Sequence, residues 1–352
     1  MNTMATNSKN VISWHLNIRK VSFYFVAGVL LAAFCPLYGT GKYAALSGLS
    51  ILICYLTYKC PKEWIFLFCG IFVFMLFTIS SHLSVPEFAI NIGNKFGNYI
   101  DALPLKRNYL VKAFLSGNRQ DVPNEIIELF RKSGSSHLLA LSGFHMGILY
   151  FMLDILMKPI SKMDSIKVVK YVIMVFLAVF YTLIVGAKPS IVRACLFIVI
   201  RESCHVFGYK TSAVNILCLA LLIQLALSPD MIKSIGFQLS YLAVAGIIFV
   251  GTKMEKWVSR KKRILHYIWV VCCIAISCQL FTIPLVYYYF GSIPKYFLVA
   301  NLIVVPICAL FIEISIVCLV LTSLSICPQF VYHVTDWIGD LMIFSLQVIG
   351  TI

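Results

Sequence analysis

YFLVANLIVVPICALFIEISIVCLVLTSLS, Tyr296 to Ser325, carries a single charged side chain, Glu313, in thirty residues. A helix needs about 20 apolar residues to cross the hydrocarbon of a bilayer, so this stretch is more than long enough. It shows none of the two-residue alternation that a barrel strand would need. Pro306 cannot donate a backbone hydrogen bond, which predicts either a kinked span or two shorter segments.

The same texture recurs along the chain. Of its 352 residues, 61% are hydrophobic and 12% charged, with a mean hydropathy of +0.91, whereas a soluble domain carries about 25% charged residues. That balance excludes an ordinary soluble enzyme and predicts an all-α, polytopic transmembrane helical bundle. Apolar runs fall at 21–38, 43–58, 64–82, 138–157, 168–185, 190–207, 211–227, 234–251, 266–290 and 296–325, with 331–350 an interfacial or final helix. About 10 to 11 spans follow.

Lys and Arg gather in alternate loops, and the loops that hold the excess are cytoplasmic. One side carries 16 of the 29 basic residues, ending in the run Lys253, Lys256, Arg260, Lys261, Lys262 and Arg263. The short loops opposite hold only Lys42, Lys188, Lys233 and Lys295. The N-terminus is therefore placed in the cytoplasm, and much of the formal charge of +15 is accounted for by topology without invoking nucleic acid. The basic start followed by an apolar run raises a cleaved signal peptide, but Tyr38 to Lys42 lacks a small-x-small site, so the first run is read as a retained span.

Three regions follow: residues 1–83 with three spans, an external connection over 84–133, and a membrane core over 134–352. Within the connection, Asp121 to Ser133 reads as an amphipathic helix along the membrane surface, with Pro123 in its first turn and Ile126, Ile127, Leu129 and Phe130 on one side. Nearly all of the thirteen cysteines lie inside apolar runs, where a thiol acts as a small hydrophobe, and no paired Cys-x-x-Cys appears.

Polar groups at bilayer depth face protein or water, which singles out a few residues. HLLALSGFHMG, His137 to Gly147, places Ser142 and His145 three apart, on one helical face with Leu138 and Leu141. Gly143 and Gly147, four apart, would let a neighbouring backbone approach. In SIVRACLFIVIRESCHVF, Pro189 and Ser190 precede Arg193 at a helix start that already favours an anion. Arg201, Glu202 and His205 cluster two turns on, and the eight residues from Arg193 to Arg201 amount to about 12 Å of rise along one wall. Alternatively, Glu202 neutralises Arg201 while Arg193 snorkels outward. Gln238, Ser240 and Asn301, with the helix breaks Pro284 and Pro306, complete a candidate wet path. Asp154 and Glu313 are further acids in apolar runs with no evident partner in the sequence.

Two other chemistries are weaker. Ser142 with His145 or His205 offers a nucleophile and a base, but no Gly-x-Ser-Gly elbow is present. His137, His145, Glu202 and His205 lack the spacing of a metal site. No catalytic residue, cofactor or metal is expected.

Four strings resemble the ComEC-type competence family in order and spacing: KSGSSHLLALSGFHMGIL (Lys132 to Leu149), GAKPSIVRA (Gly186 to Ala194), SPDMIKSIGFQLSYLAVAGI (Ser228 to Ile247) and FTIPLVYYYFGSIPKYFLVANLIVVP (Phe281 to Pro306). The family's Ser-Gly-x-His, Pro-Ser-x-x-Arg and Phe-Gln-Leu-Ser motifs fall on Ser142, Gly143 and His145, on Pro189, Ser190 and Arg193, and on Phe237 to Ser240. The resemblance implies a multi-pass channel in the bacterial cytoplasmic membrane that conducts single-stranded DNA during transformation. It also implies partners: membrane lipid, an external DNA receptor and a cytoplasmic ATPase, with a homo-oligomer allowed. The chain departs from the family in having an external stretch too short for an OB-like barrel and no His-x-His-x-Asp-His string, so no nuclease activity is expected of it. It also has no Gly-x-x-x-x-Gly-Lys-Ser/Thr loop, so the energy is expected to come from a partner or a gradient. The alternative is a membrane transporter or scaffold for another anionic or lipid-linked substrate.

Overall fold

The computed structural model describes residues 22–23, 25–30, 87–158, 164–258, 263–291 and 293–351. The predicted spans at 43–58 and 64–82, most of that at 21–38, and part of the basic run at 259–262 lie outside the described residues. Every regular element among the described residues is helical.

Twelve helices carry the description: α1 Glu87–Asp101, α2 Asn108–Ser116, α3 Asn124–Lys132, α4 Ser136–Leu139, α5 Gly143–Met157, α6 Asp164–Ile184, α7 Pro189–Val206, α8 Ala213–Leu227, α9 Ile235–Gly246, α10 Arg263–Phe290, α11 Phe297–Ser323 and α12 Gln329–Thr351. A π-helical turn, Ile247–Gly251, continues α9. Among the described residues, three helical stretches, Ile235–Trp257, Leu265–Phe290 and Phe297–Ser323, are long and apolar enough to cross a membrane. The helix α12, which carries Asp336 and Asp340, is the final helix foreseen at 331–350.

The prolines correct one expectation. Helix α10 runs through Pro284 and α11 through Pro306, so neither proline breaks its helix. Each removes one backbone hydrogen bond, but in apolar surroundings the remaining carbonyls and N–H groups have no better partner than the helix itself. Of the three predicted breaks, Pro189 alone stands at an element boundary, as the first residue of α7, where its missing N–H costs nothing.

The chain divides into two compact units. In the smaller, Met1–Ser84 with Gly208–Tyr241, Ser212 caps α8 by accepting from the Asn215 N–H at 3.3 Å, and the Ser22 hydroxyl donates to the Cys218 carbonyl at 3.2 Å. The Tyr241 hydroxyl donates to the Gln224 side chain at 2.9 Å, so a buried amide is satisfied between α8 and α9.

The larger unit, Val85–Phe207 with Leu242–Ile352, has its main core where α2, α3, α11 and α12 meet. Phe114 is at the centre, edge-on to Phe130 at 6.2 Å and to Phe311 at 5.9 Å. Helix α3 starts after Pro123 at its N-cap and turns Ile126 and Phe130 into this core, so the apolar side of the predicted amphipathic helix is covered by protein. Helix α12 is tied to the start of α2 by charge: the Asp336 carboxylate accepts from the Lys106 and Arg107 N–H groups at 3.2 and 3.1 Å, and Arg107 pairs with Asp340 at 2.7 Å. Asp154, which had no partner legible in the sequence, is bound by Lys170 of α6.

Lys112 binds the α1 end to the α2 loop. Its ammonium reaches Asp101 at 2.6 Å and Asp121 at 2.7 Å, with its stem against Gly97. The two carboxylates are half-exposed, which limits the gain. Lys112→Met, which keeps the stem, is expected to cost about 1–2 kcal/mol, and Lys112→Ala more, because packing is lost as well. Thermal melts of the two variants in detergent check this; equal melting temperatures for Met, Ala and wild type would refute it.

Candidate functional site

The segment around Ser142 does not form one continuous helix. Ala140 is extended (ψ 121°), Ser142 is extended (φ −138°), and α5 starts only at Gly143, so Leu138 and Leu141 lie before the helix rather than on its face. The cause is a local alternative partner for the backbone. The Ser142 hydroxyl accepts from the Phe144 N–H at 3.3 Å, and His145 Nδ1 accepts from the Ser142 N–H at 3.3 Å, a capping box with histidine where glutamate or glutamine usually stands.

That bond fixes the imidazole. With Nδ1 accepting, the neutral ring carries its proton on Nε2. The ring is 1% exposed and stacked on Phe114 at 5.7 Å, and Nε2 has no hydrogen-bond partner among the described residues. Phe114 thus serves both as the centre of the core and as the bed of His145.

Gly143 receives Arg193. A Cβ at position 143 would lie 2.8 Å from Arg193 Nη2, so the guanidinium of α7 rests against the first turn of α5. Arg193 is 8% exposed and its Cζ lies 5.7 Å from the Phe197 ring centroid. Gly147, by contrast, has open space where its Cβ would be, so the Gly-x-x-x-Gly pair is no helix-packing motif here: one member seats a side chain and the other seats nothing. Leu141, Met146, Ile191, Ala194 and Cys195 form the apolar floor where α5 and α7 start side by side.

Two residues that the motifs did not single out complete the arrangement. Gly117 ends α2 with φ +72°, and its carbonyl accepts from Lys188 Nζ at 2.9 Å; a Cβ there would lie 2.5 Å from that nitrogen. Lys188 is the N-cap of α7, preceded by Gly186 and Ala187, both at positive φ (80° and 48°). Burial first, and then the nearby positive charge of Arg119, hold the Lys188 ammonium below the usual lysine range. Arg119 itself is exposed, and its guanidinium makes no hydrogen bond or ion pair with the described residues. The signal available in the sequence was the lysine directly before Pro189, which counting charges by loop treats as topology alone.

The other candidates lie apart from this cluster or join it at its edge. Asn301 of α11 is beside His137, which is an electrostatic neighbour of His145. Further along α7, Glu202 is buried and accepts from the Tyr150 hydroxyl, while the Arg201 guanidinium lies over the same tyrosine ring at 5.8 Å from its centroid. His205 is exposed. Gln238 and Ser240 belong to the smaller unit, where the Gln238 amide donates to the Ile232 carbonyl at 2.7 Å. Among the described residues no group of three or more His, Cys, Asp or Glu side chains could hold a metal ion.

The model of the Competence protein family matches residues 114–352, from Phe114 through the last helix. The chain belongs to the Competence protein family. The resemblance read from the four strings between Lys132 and Pro306 is thereby borne out, and the region shared with the Competence protein family contains every residue of the cationic cluster. ComE operon protein 3 of Bacillus subtilis (strain 168) is 27% identical over 204 residues, which are 58% of this chain and 25% of that protein. The match thus spans about a quarter of that relative's length. No solved structure matches the chain.

Proposed function

We propose that this chain is the conducting membrane part of a competence DNA-uptake apparatus and passes single-stranded DNA across a bacterial cytoplasmic membrane. The observation that carries the reading is the Competence family match over residues 114–352, which encloses a buried arginine and an incompletely satisfied histidine at the shared start of two helices. Buried cationic and hydrogen-bonding groups are costly in apolar surroundings and mark paths for anions. A polyanion moves past such groups by exchanging one phosphate for the next.

The orientation with a cytoplasmic N-terminus and 10 to 11 spans belongs to the same proposal. Charge counting places the loops around Gly117, Gly134, Lys188 and Pro294 on the outer side. Contacts within each pair of loops support placing its two members on one side, whichever side that is: Lys188 bonds the Gly117 carbonyl, and a Cβ on Gly134 would lie 2.8 Å from Pro294. Loops on opposite faces of a bilayer could not touch. Energy and strand selection are supplied in this reading by an external DNA receptor and a cytoplasmic ATPase.

Deleting the gene in a transformable host that has no second copy is expected to abolish entry of labelled DNA into the cytoplasm, with binding at the cell surface retained. Wild-type entry in the deletion strain would end the proposal and favour a transporter of another anionic substrate.

A further inference from the structure

We infer that Arg119, Lys188 and Arg193 form a station that holds one phosphodiester group of single-stranded nucleic acid as it enters, an inference that rests on the conduction reading above. The three cations come from two segments that the fold draws together: Arg119 from the loop after α2, whose Gly117 carbonyl Lys188 binds, and Lys188 and Arg193 from the N-cap and first turns of α7, the latter against Gly143. They are graded in depth, with Arg119 exposed, Lys188 half-buried and Arg193 buried. An anion would therefore meet positive charge first in water and then progressively out of it.

The local accounting of charge points the same way. Among the described residues no carboxylate bonds Arg119 or Lys188, and the acid closest to Arg119 in sequence, Asp121, is engaged by Lys112 at 2.7 Å. Lys188 has three N–H donors, and the Gly117 carbonyl takes one of them. The N-termini of α5 and α7 add the positive ends of their dipoles. The buried Nε2 of His145, whose ring stacks on Phe114 near the end of α2, also has no hydrogen-bond partner among the described residues. Bringing the Arg119 and Lys188 charges together with no carboxylate on either is unfavourable in the empty site and becomes favourable when an oxyanion lies between them. The rim is Gly117-Asn118-Arg119-Gln120, polar throughout, with no apolar side chain to sit among acyl chains, which favours a nucleic-acid phosphate over a lipid headgroup.

The test uses the full chain purified in detergent and a fluorescein-labelled oligothymidylate of about 12 nucleotides, read by anisotropy across a salt series. Arg119→Gln and Lys188→Gln are each expected to weaken binding about fivefold and to reduce the slope of log affinity against log salt by about 0.7. Lys188→Arg is expected to retain most of the affinity. Arg131→Gln, an exposed arginine paired with Glu128 elsewhere, is the control and should bind as wild type. Arg119 makes no bond that folding needs, so its variant separates loss of the site from loss of the fold.

Oligonucleotide binding that is indifferent to both substitutions overturns the inference, and so does absence of binding by the wild type. It is also overturned if the two variants lose only their stabilisation by phosphatidylglycerol nanodiscs relative to neutral ones. Loss of binding in the variants together with normal DNA entry after gene deletion leaves the site standing and removes the conduction reading; the converse pair of results does the opposite.

Discussion

Arg193→Gln is expected to leave the chain inserted in the membrane and to lower DNA uptake about a hundredfold, equivalent to ~3 kcal/mol. Glutamine keeps hydrogen-bonding capacity and much of the stem, so what is removed is the charge and the planar fork that matches a phosphate. The cavity that holds the guanidinium is shaped for it, since Gly143 has no Cβ and Phe197 offers its ring face. Arg193→Lys restores a charge without the fork and should fall between the two. Gly143→Ala provides an independent route to the same loss: its methyl would meet Nη2 at 2.8 Å and push the arginine out of place without changing it. Membrane accumulation of each variant is measured first, and labelled-DNA uptake second. Full uptake by inserted Arg193→Gln cells would show that this guanidinium carries no phosphate.

The all-helical class was legible because long apolar runs with few charges allow no other solution, and α10 and α11 sit where the runs at 266–290 and 296–325 put them. Ser142, Gly143, His145 and Arg193 were legible as polar exceptions in such runs, and the fold brings these four together. Their geometry was not legible. A three-residue spacing reads as one helical face, yet here it is a cap, because His145 Nδ1 competes for the Ser142 N–H and turns the chain before the helix starts. Lys188 escaped because a loop cation looks the same whether it is solvated or lies against a distant backbone; only the Gly117 carbonyl at 2.9 Å distinguishes the two, and Arg119 gains its place only as a neighbour of that contact. Helices α1 and α2 escaped for a related reason. The burial of α2 depends on α11, more than 180 residues away, that of α1 on α6, whose Ile184 carbonyl lies against Gly93, and the start of α2 on the pair of Arg107 with Asp340, which no local pattern announces.

The strongest effect on stability is expected from Gly246→Ala. Gly246 closes α9, and a Cβ there would lie 2.2 Å from the backbone carbonyl oxygen of Ser277 in α10, far inside any contact that real atoms make. Five residues on, Gly251 meets the same serine, 2.9 Å from its hydroxyl oxygen. The π-helical turn Ile247–Gly251 explains the register: the extra residue in the turn brings positions five apart into line, so that both glycines face Ser277. A methyl at 246 would force the two helices about 1 Å apart along a packed seam, which should cost roughly 3 kcal/mol or more and abolish a cooperative melt in detergent. At 251 the obstacle is a side chain, so Gly251→Ala should cost about 1 kcal/mol and be rescued by Ser277→Ala, whereas the same second change cannot rescue Gly246→Ala because a carbonyl stays where it is. Gly147→Ala, with open space around it, serves as the neutral control. If Gly246→Ala melts with wild-type cooperativity and midpoint, α9 and α10 do not approach each other in this way, and the π-helical turn has another cause.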